Sequence, residues 1–481
     1  MIQYSLLDEP VLSVVERSTQ TRCRLTLPGV LAALAADNIE DFPALRPHQR
    51  HVWHAFLVQA AALYLHRNGQ SELPRDEGSW RSALLSLTPN DPDGAAWALV
   101  TPSERPAFLQ PPVPGGSLAG FKTIVTPDDL DMLVTAKNHD VKRQSIRNAR
   151  AEHWMFALLS LQTQEGFLGA GNYGISRMNG GFASRPSIGI EPSGAMGRRF
   201  SRDASRLVAL RDRLLEEYDF YPTTDGHALL WLLAWDGVRS ISPKELDVFY
   251  IEICRRVRIV LTTDGRMRAV ATGTKAPRID AKPLRGRTGD AWTPLIADAE
   301  GRKALTIDAG SMGYKKLVPI LFPRSSDTSA AIRAPLQEIS TSDDSNGLSV
   351  LVRGIVRGQG KTPHPRGDGP RARSRFTAGA LSPPPAWGWT RPRDRRHDEL
   401  VVSPTRVGMD PSMSATRCTP PRLPHPRGDG PGCTHANGAA PPSPPPAWGW
   451  TRENGRVRRA ALVSPTRVGM DPQSATAGVR S

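Results

Sequence analysis

Glycine and cationic side chains, the residue types best suited to bind phosphate, come together in the middle of the chain. Residues 137–143 read KNHDVKR, and residues 166–181 contain six glycines. Arginines follow within and after this stretch at Arg177, Arg185, Arg198, Arg199 and Arg202. Glycine lets backbone amides approach an anion closely, and Arg and Lys displace its counterions. The pattern predicts either a phosphate-contacting surface or a solvated loop with scattered charge, and composition alone leaves both open.

A second motif lies inside the same stretch. Residues 169–174, GAGNYG, fit the GxGxxG pattern of dinucleotide-binding proteins. That pattern needs a strand before it and a helix after it, so that the helix N-terminus meets the pyrophosphate. Here residues 151–162 have helical spacing, and residues 175–181 make a poor helix start. We therefore predict no cofactor and keep a nucleotide-dependent oxidoreductase as the alternative function.

Three histidines, His48, His51 and His54, recur three residues apart on a predicted helix. This spacing can place two imidazoles on one face as metal ligands. No acidic residue lies beside them in the sequence, so we expect solvated histidines and no metal. The four cysteines contain no CxxC pair, which argues against a zinc site or a disulfide framework.

The elements that must position these residues mix helices with short strands and lack a regular βαβ alternation, which predicts an α+β fold. Helices are predicted at 27–36, 49–66, 128–134, 151–162 and 201–218, strands at 4–15, 257–261 and 269–272, and a buried apolar run at 228–235. Residues 4–15 are interpreted as a pair of strands. Asp264 and Gly265 predict a hairpin turn between the last two strands.

The C-terminal part repeats three different peptides with one common period. HPRGDGP (364–370), SPPPAWGWTR (382–391) and VSPTRVGMDP (402–411) each recur 61 residues later. Repeat proteins show one motif per period, because each unit buries the same face against its neighbour. A single DNA string, CCCCCACCCGCGTGGGGATGGACCC, encodes PPPAWGWT, PHPRGDGP and PTRVGMDP in its three frames. A DNA unit of 61 nucleotides, which is not a multiple of three, therefore explains all three peptides.

A short direct repeat at constant spacing, separated by unrelated sequence, is the layout of a CRISPR array. The CCCCAC and GTGGGG segments of the string can also pair as an RNA hairpin, as array repeats of this kind do. We therefore interpret residues 363–481 as array-encoded and exclude them from fold reasoning. Residues 358–481 carry 19 Lys+Arg against 8 Asp+Glu, which is +11 of the total +15, and 21 of the 44 prolines. The tail is expected to be disordered, and its charge is no evidence for nucleic-acid binding.

Region 1–362 is long enough for roughly two domains with a core. The N-terminal sequence MIQYSLLDEP lacks the basic and apolar regions of a signal peptide. No stretch approaches ~18 uninterrupted apolar residues, so we expect a cytoplasmic protein without a membrane partner.

Five segments of region 1–362 resemble CasA, the large subunit of the type I-E CRISPR Cascade surveillance complex. They are LLDEP (6–10), LVTAKNHDVK (133–142), LQTQEGFLGAGNYGISRMNGG (161–181), TGTKAPRI (272–279) and VRGQGKT (356–362). The second and third are long and specific. The resemblance implies a non-catalytic protein that contacts the 5′ handle of the CRISPR RNA and probes the motif flanking the target double-stranded DNA. Other Cascade subunits and a helicase-nuclease are its implied protein partners.

The resemblance also implies site residues. Handle contacts fall on Lys137, Asn138, Lys142 and Arg143, and DNA contacts fall on Gly166, Gly169, Gly171 and Asn172, to which the basic pattern adds Arg177. A wedge that opens the duplex falls on Gln359 and Lys361. No helical pattern in 363–481 replaces the helical bundle that ends the family's proteins. The resemblance therefore implies a truncated member, and an inert product of a broken gene remains a further alternative.

The array-encoded tail generates the first prediction. Limited proteolysis of the full chain should remove residues 363–481 and leave a fragment ending near residue 360, because the tail has no apolar periodicity to support a core. Mass spectrometry of the fragment locates the new end. A protease-resistant tail that melts cooperatively would contradict the prediction.

Overall fold

A computed structural model describes residues 2–132, 146, 148–180, 185–192, 196–307, 319–320, 331–339, 343, 346–354 and 374–377. Within these residues the chain forms seven α-helices: α1 (Leu27–Ala35), α2 (Gln49–Arg67), α3 (Glu77–Ser86), α4 (Pro127–Leu130), α5 (Ala151–Gln164), α6 (Met196–Ala209) and α7 (Arg211–Glu217). Side-chain caps begin several of them. The Thr26 hydroxyl accepts a hydrogen bond from the Gly29 amide at 3.0 Å, and Asp76 accepts one from Ser79 at 2.8 Å.

Fifteen short strands lie in the described residues: β1 (Gln3–Ser5), β2 (Leu12–Glu16), β3 (Arg22–Leu25), β4 (Ile39–Asp41), β5 (Ala98–Val100), β6 (Lys122–Ile124), β7 (Pro186–Glu191), β8 (His227–Leu229), β9 (Leu246–Ile251), β10 (Arg256–Leu261), β11 (Met267–Thr272), β12 (Leu295–Asp298), β13 (Gly301–Ala304), β14 (Asn346–Gly354) and β15 (Ser374–Thr377). They form sheets of two or three strands in the orders β1-β5, β10-β11-β6, β12-β13, β15-β14-β7, β3-β2-β4 and β8-β9. Only β8 and β9 pair in parallel. The predicted α+β class is confirmed.

Helix α2 is the centre of the main core. It packs against α5 and α6, and its buried residues lie on nearly every face. The Trp53 ring lies 5.3 Å from Phe156 on α5, 5.7 Å from Phe42 and 5.8 Å from Phe56. Each such buried aromatic ring contributes on the order of 1.5–3 kcal/mol. In the described residues no helix is long and apolar enough to span a bilayer.

The predictions are correct for elements whose structure is determined by the local sequence. Helices α1, α2 and α5 lie within three residues of their predicted ends, and β10 and β11 form the predicted hairpin, with Gly265 at a positive φ of 75°. The predicted helix 201–218 is two helices, α6 and α7. The predicted strand pair in 4–15 is wrong, because β1 pairs with β5 while β2 pairs with β3 and β4. Sequence patterns do not carry these long-range pairings.

One strand, β15, comes from the segment that we interpret as array-encoded. Strand β15 pairs antiparallel with β14, with Ser374 opposite Val350. An open sheet edge offers unpaired backbone groups, so a strand can add there without a particular sequence. The protease-resistant fragment should accordingly extend past Thr377 rather than end near residue 360. The remaining residues of 363–481 lie outside the described part, and their disorder stays a prediction.

The three spaced histidines are buried, so the expectation that they are solvated is wrong. His48 Nε2 lies 2.8 Å from Asp131 Oδ1, and His54 Nε2 lies 2.8 Å from Asp203 Oδ2. The His51 ring packs edge-on against Trp292 at 5.4 Å. The two carboxylate partners lie 83 and 149 residues away in the chain, which is why the local sequence did not reveal them. Among the described residues no group of three His, Cys, Asp or Glu side chains could hold a metal.

Two of these histidines should make the fold sensitive to acid. Burial, and then the nearby Arg199, lower the pKa of His54 to about 4, and burial lowers the pKa of His51 well below its usual value. Between pH 6.5 and 4 the unfolded chain therefore binds protons that the folded chain does not, so stability is lost as the pH falls. From pH 7 to pH 4, His54 alone contributes a loss on the order of 3 kcal/mol.

Urea unfolding at a series of pH values measures this loss. His54→Gln should unfold more easily at pH 7 but show a smaller further loss on acidification, whereas His227→Gln, which changes an exposed histidine, should keep the full pH dependence. An unaltered pH dependence in His54→Gln would contradict the assignment.

Candidate nucleic-acid interface

The glycine-rich stretch forms a compact loop that follows α5. We call residues 165–174 the glycine loop. The Ile175 amide donates to the Glu165 carbonyl at 2.9 Å and closes the neck of the loop. At the outer turn, Leu168 donates to the Asn172 carbonyl at 2.9 Å, and Asn172 donates to the Gly169 carbonyl at 3.0 Å. The side chain of Asn172 is exposed at this turn.

The glycines of the loop have two different roles. Gly169 and Gly171 lie on the outer turn with positive φ angles of 111° and 84°, which favour glycine. Gly166 is buried at the neck, where a Cβ on Gly174 would lie 2.6 Å from the Gly166 carbonyl carbon. Gly166 therefore closes the loop and is buried, and its contact with DNA stays a prediction. Gly169 has open space where a Cβ would lie, whereas a Cβ on Gly171 would lie 3.7 Å from the Thr274 carbonyl oxygen.

A buried arginine ties the two sides of the loop together. The Arg255 guanidinium donates to the carbonyls of Tyr173 and, at 3.1 Å, of Gly166. The backbone of Arg255 is held in turn by Gln162 on α5, whose Oε1 accepts from the Arg255 amide at 2.8 Å. Gln162 Nε2 donates back to the Arg255 carbonyl at 2.9 Å. The end of α5 and the start of β10 thus fix the neck of the loop.

The segment that follows β11 lies beside the outer turn. The Thr274 amide donates to the Gly171 carbonyl at 3.0 Å, and the Tyr173 hydroxyl donates to the Lys275 carbonyl at 3.1 Å. The side chain of Lys275 is exposed. Phe167, 43% exposed, packs against the Tyr173 ring at 5.9 Å. The loop therefore presents open backbone, an amide side chain, an aromatic ring and a lysine on one surface.

Sequence reasoning missed two of these residues. Lys275 lies in the TGTKAPRI segment that carried part of the resemblance, which was the available signal, but no role was predicted for it. Arg255 left no local signal, because its partners at Gly166 and Tyr173 lie 89 and 82 residues earlier.

The structure places Arg177 in the interior and not on the surface. Its side chain is 8% exposed, and its guanidinium lies 4.1 Å above the Tyr250 ring and 3.4 Å from Glu252 Oε1. Burial raises the pKa of Glu252, whereas Arg185 and Arg177 outweigh the effect of burial on Asp290 and lower its pKa. The guanidinium of Arg177 is therefore buried in this structure, and its contact with DNA stays a prediction. Its charge is paired with Glu252 and the Tyr250 ring inside the fold.

Other arginines of the basic pattern are also internal. Arg185 lies 3.3 Å from Asp290, Arg199 lies 3.6 Å from Asp203, and Arg202 lies 2.7 Å from Asp343. Arg198 differs, because its side chain is 61% exposed. Four of these five arginines, Arg177, Arg185, Arg199 and Arg202, thus form internal ion pairs.

The predicted handle residues Lys137, Asn138, Lys142 and Arg143 lie outside the described residues, as do Gln359 and Lys361. We call residues 133–145 the handle segment. The chain on both sides of it is held by carboxylates. Asp131 lies within 3.0 Å of His48 and accepts from Gln49 at 2.5 Å, and Asp128 accepts from the Ile146 amide at 2.7 Å and from Arg46. The described ends of the segment are therefore anchored on α2 and α4.

The GAGNYG motif lacks the surroundings of a dinucleotide site. It follows α5, not a strand, and no helix begins in residues 175–180. The pyrophosphate of a dinucleotide would therefore meet no helix N-terminus here.

The Arg255 brace generates a prediction about loop order. In Arg255→Lys, one ammonium cannot reach both the Gly166 and Tyr173 carbonyls, and losing a charge-assisted hydrogen bond costs roughly 1.5–3 kcal/mol. The amides of Leu168, Asn172 and Ile175 should exchange with deuterium at least about tenfold faster. Arg256→Lys is the matched control, since Arg256 lies over the Phe121 ring at 5.4 Å. Equal exchange in both variants would contradict the brace.

Comparison with known proteins supports a fold assignment. No family model matches the chain, and no curated protein matches its sequence. The structure of Thermus thermophilus CasA (Cse1) is similar over 80% of this chain and 75% of that chain, with 15% identity and a TM-score of 0.51. Two further matches are a CRISPR RNA-guided surveillance complex (14% identity, 75% and 74% covered, TM-score 0.49) and Cse1 from Acidimicrobium ferrooxidans (18% identity, 77% and 71% covered, TM-score 0.44). On the first of these matches, the chain has the fold of the CasA (Cse1) proteins.

Proposed function

We propose that this chain is a non-catalytic, CasA-type large subunit of a type I-E CRISPR surveillance complex. In this role it contacts the 5′ handle of the CRISPR RNA and probes the motif that flanks the target in duplex DNA. The shared fold and the array encoded in residues 363–481 both support the proposal. Other Cascade subunits and a helicase-nuclease are the proposed protein partners, and no cofactor is required.

The observation that carries the DNA part is the exposed outer turn of the glycine loop. Without a Cβ atom at Gly169, where the space outside the loop is open, backbone can approach the floor of a groove that excludes larger side chains. Asn172 supplies both a donor and an acceptor for base edges, and Lys275 supplies a cation for the phosphates. The minor groove presents a degenerate pattern of such edges, which suits recognition of several related flanking motifs.

The RNA part follows from the handle segment. Lys137, Lys142 and Arg143 would neutralise phosphates of the handle, while Asn138 would hydrogen-bond to a base or sugar. Base pairing with the guide RNA then recognises the target sequence, and the protein recognises only the flanking motif. The same division is described for another class of CRISPR effector. Gln359 and Lys361 are proposed as the wedge beside the flank.

Substitutions in the glycine loop test the DNA part. Gly171→Asp introduces a carboxylate and a side chain at a φ of 84°, so duplex DNA should bind more weakly through steric conflict and charge repulsion. Lys275→Ala should reduce the slope of log K against log salt by about 0.9, the value for one phosphate contact. Fluorescence anisotropy with the full chain measures both, on duplexes that differ only in A·T or G·C content at the flank.

Lys244→Ala, which removes an exposed lysine outside the glycine loop and the 272–279 segment, is the control and should bind like the unchanged chain. All variants keep the tail, so its charge contributes equally to each measurement. The DNA assignment is wrong if Gly171→Asp binds as tightly as the unchanged chain and distinguishes the two duplexes equally well.

A further inference from the structure

A cleft of about 470 Å³ lies beside the start of α5, away from the glycine loop at its other end. It is lined by Ser13, Arg22, Cys23, Arg24, Pro43 and Arg150. Three of these six residues are arginines. None of the sequence motifs described above includes Arg22 or Arg24.

The two arginines of β3 point to the same side of an edge strand. Arg24 lies opposite Ser13 and Arg22 opposite Val15 in the register with β2, and alternate residues of a strand face the same way. Both arginines are exposed. They stand roughly 6.6 Å apart along the strand, so they can engage neighbouring phosphates of one chain without competing for the same one.

The charges of Arg22 and Arg24 are not neutralised by carboxylates within the described residues. Nearby arginines differ: Arg17 lies 2.9 Å from Asp37, and Arg50 lies 2.6 Å from Asp41. Across the describable ion pairs, neither Arg22 nor Arg24 has an acidic partner within 4.0 Å. Two exposed guanidinium groups without carboxylates leave a local excess of positive charge.

Arg150 completes the cleft from the other side. It lies 2.5 Å from the buried Glu152, which also accepts from the Ser13 amide at 2.9 Å and the Ser13 hydroxyl at 3.0 Å. Glu152 is thus fully used in joining α5 to β2, and it fixes Arg150 with 48% of that side chain exposed. Glu16 also lies at the cleft, because its carboxylate accepts from the Cys23 thiol at 3.7 Å. Three guanidinium groups against two carboxylates give the cleft a net charge of about +1.

We propose that this cleft binds the phosphate backbone of single-stranded RNA next to the handle segment. The inference rests on the proposed function, because the RNA is identified through the handle segment. Arg150 lies five residues after the last residue of that segment in the sequence. Guanidinium groups match phosphate oxygens as paired donors, which a lysine surface does not.

Salt-dependent binding of a short fluorescein-labelled single-stranded RNA to the full chain tests the proposal. Each phosphate contact on a single strand contributes a slope of about 0.7, so Arg22→Gln with Arg24→Gln should lower the slope of log K against log salt by about 1.4. Over a fourfold rise in salt, the unchanged chain should therefore lose about sevenfold more affinity than the double variant. Arg22→Lys with Arg24→Lys should restore the slope, because it keeps both charges.

Three controls make the result specific. Arg302→Gln removes an exposed arginine from the β12–β13 hairpin and should leave the slope unchanged. The double variant should melt like the unchanged chain, because neither arginine is buried. Duplex DNA of the same length should show little change, and an equal fall in its slope would overturn the choice of RNA.

The outcomes also separate this inference from the proposed function. If the double variant lowers the slope while Lys142→Ala does not, the cleft stands and the handle assignment fails. If Lys142→Ala lowers the slope while the double variant does not, the cleft is overturned and the handle assignment stands. If neither substitution changes the slope, both are wrong.

Discussion

Buried arginine and glutamine side chains hold the irregular backbone of this fold together. Its sheets have two or three strands, so many carbonyl and amide groups in the connecting segments find no partner in a strand ladder. Arg258 donates to the carbonyls of Thr101, Pro102, Arg105 and Gln110, and Arg278 donates to those of Leu230, Leu233 and Ala234. Burial lowers the pKa of each guanidinium to about 10, so both remain charged at neutral pH. One arginine thus supplies hydrogen bonds to several carbonyls of a connecting segment, which would otherwise be buried without a partner.

The glycine loop is also held by a buried arginine that donates to backbone carbonyls. The outer turn is held in a defined position only if the neck of the loop has a fixed conformation. The Arg255 guanidinium fixes that conformation by donating to the carbonyls of Gly166 and Tyr173. Gln162 extends the constraint into α5 by pairing with the backbone of Arg255 in both directions. The outer turn of the loop is therefore held in place by buried hydrogen bonds between side chains and backbone.

The buried long-range hydrogen bonds also explain which parts of the structure could be predicted from the sequence. Helix α2, helix α5 and the hairpin at Gly265 were predicted correctly, because periodicity and turn residues act over a few positions. The same reasoning treated arginines and histidines as surface residues, and it was wrong for Arg177 and His54. Their buried partners, Glu252 and Asp203, lie 75 and 149 residues away, and no local pattern shows such pairs. The glycine-rich stretch was visible in the sequence, whereas the positions of Lys275 and Arg255 beside it required the folded chain.

Helix α5 sets the geometry between the two proposed nucleic-acid surfaces. Its first turn holds the basic cleft through Glu152 and Ser13, and its last turn holds the glycine loop through Gln162. Fourteen residues of helix span roughly 21 Å, and most of the side chains between are buried against α2 and other elements of the core. A packed helix of this kind does not shorten or bend without disrupting the core. The chain would therefore keep an RNA bound at one end and a duplex probed at the other at a fixed separation, as a subunit that reads a flank relative to its guide requires.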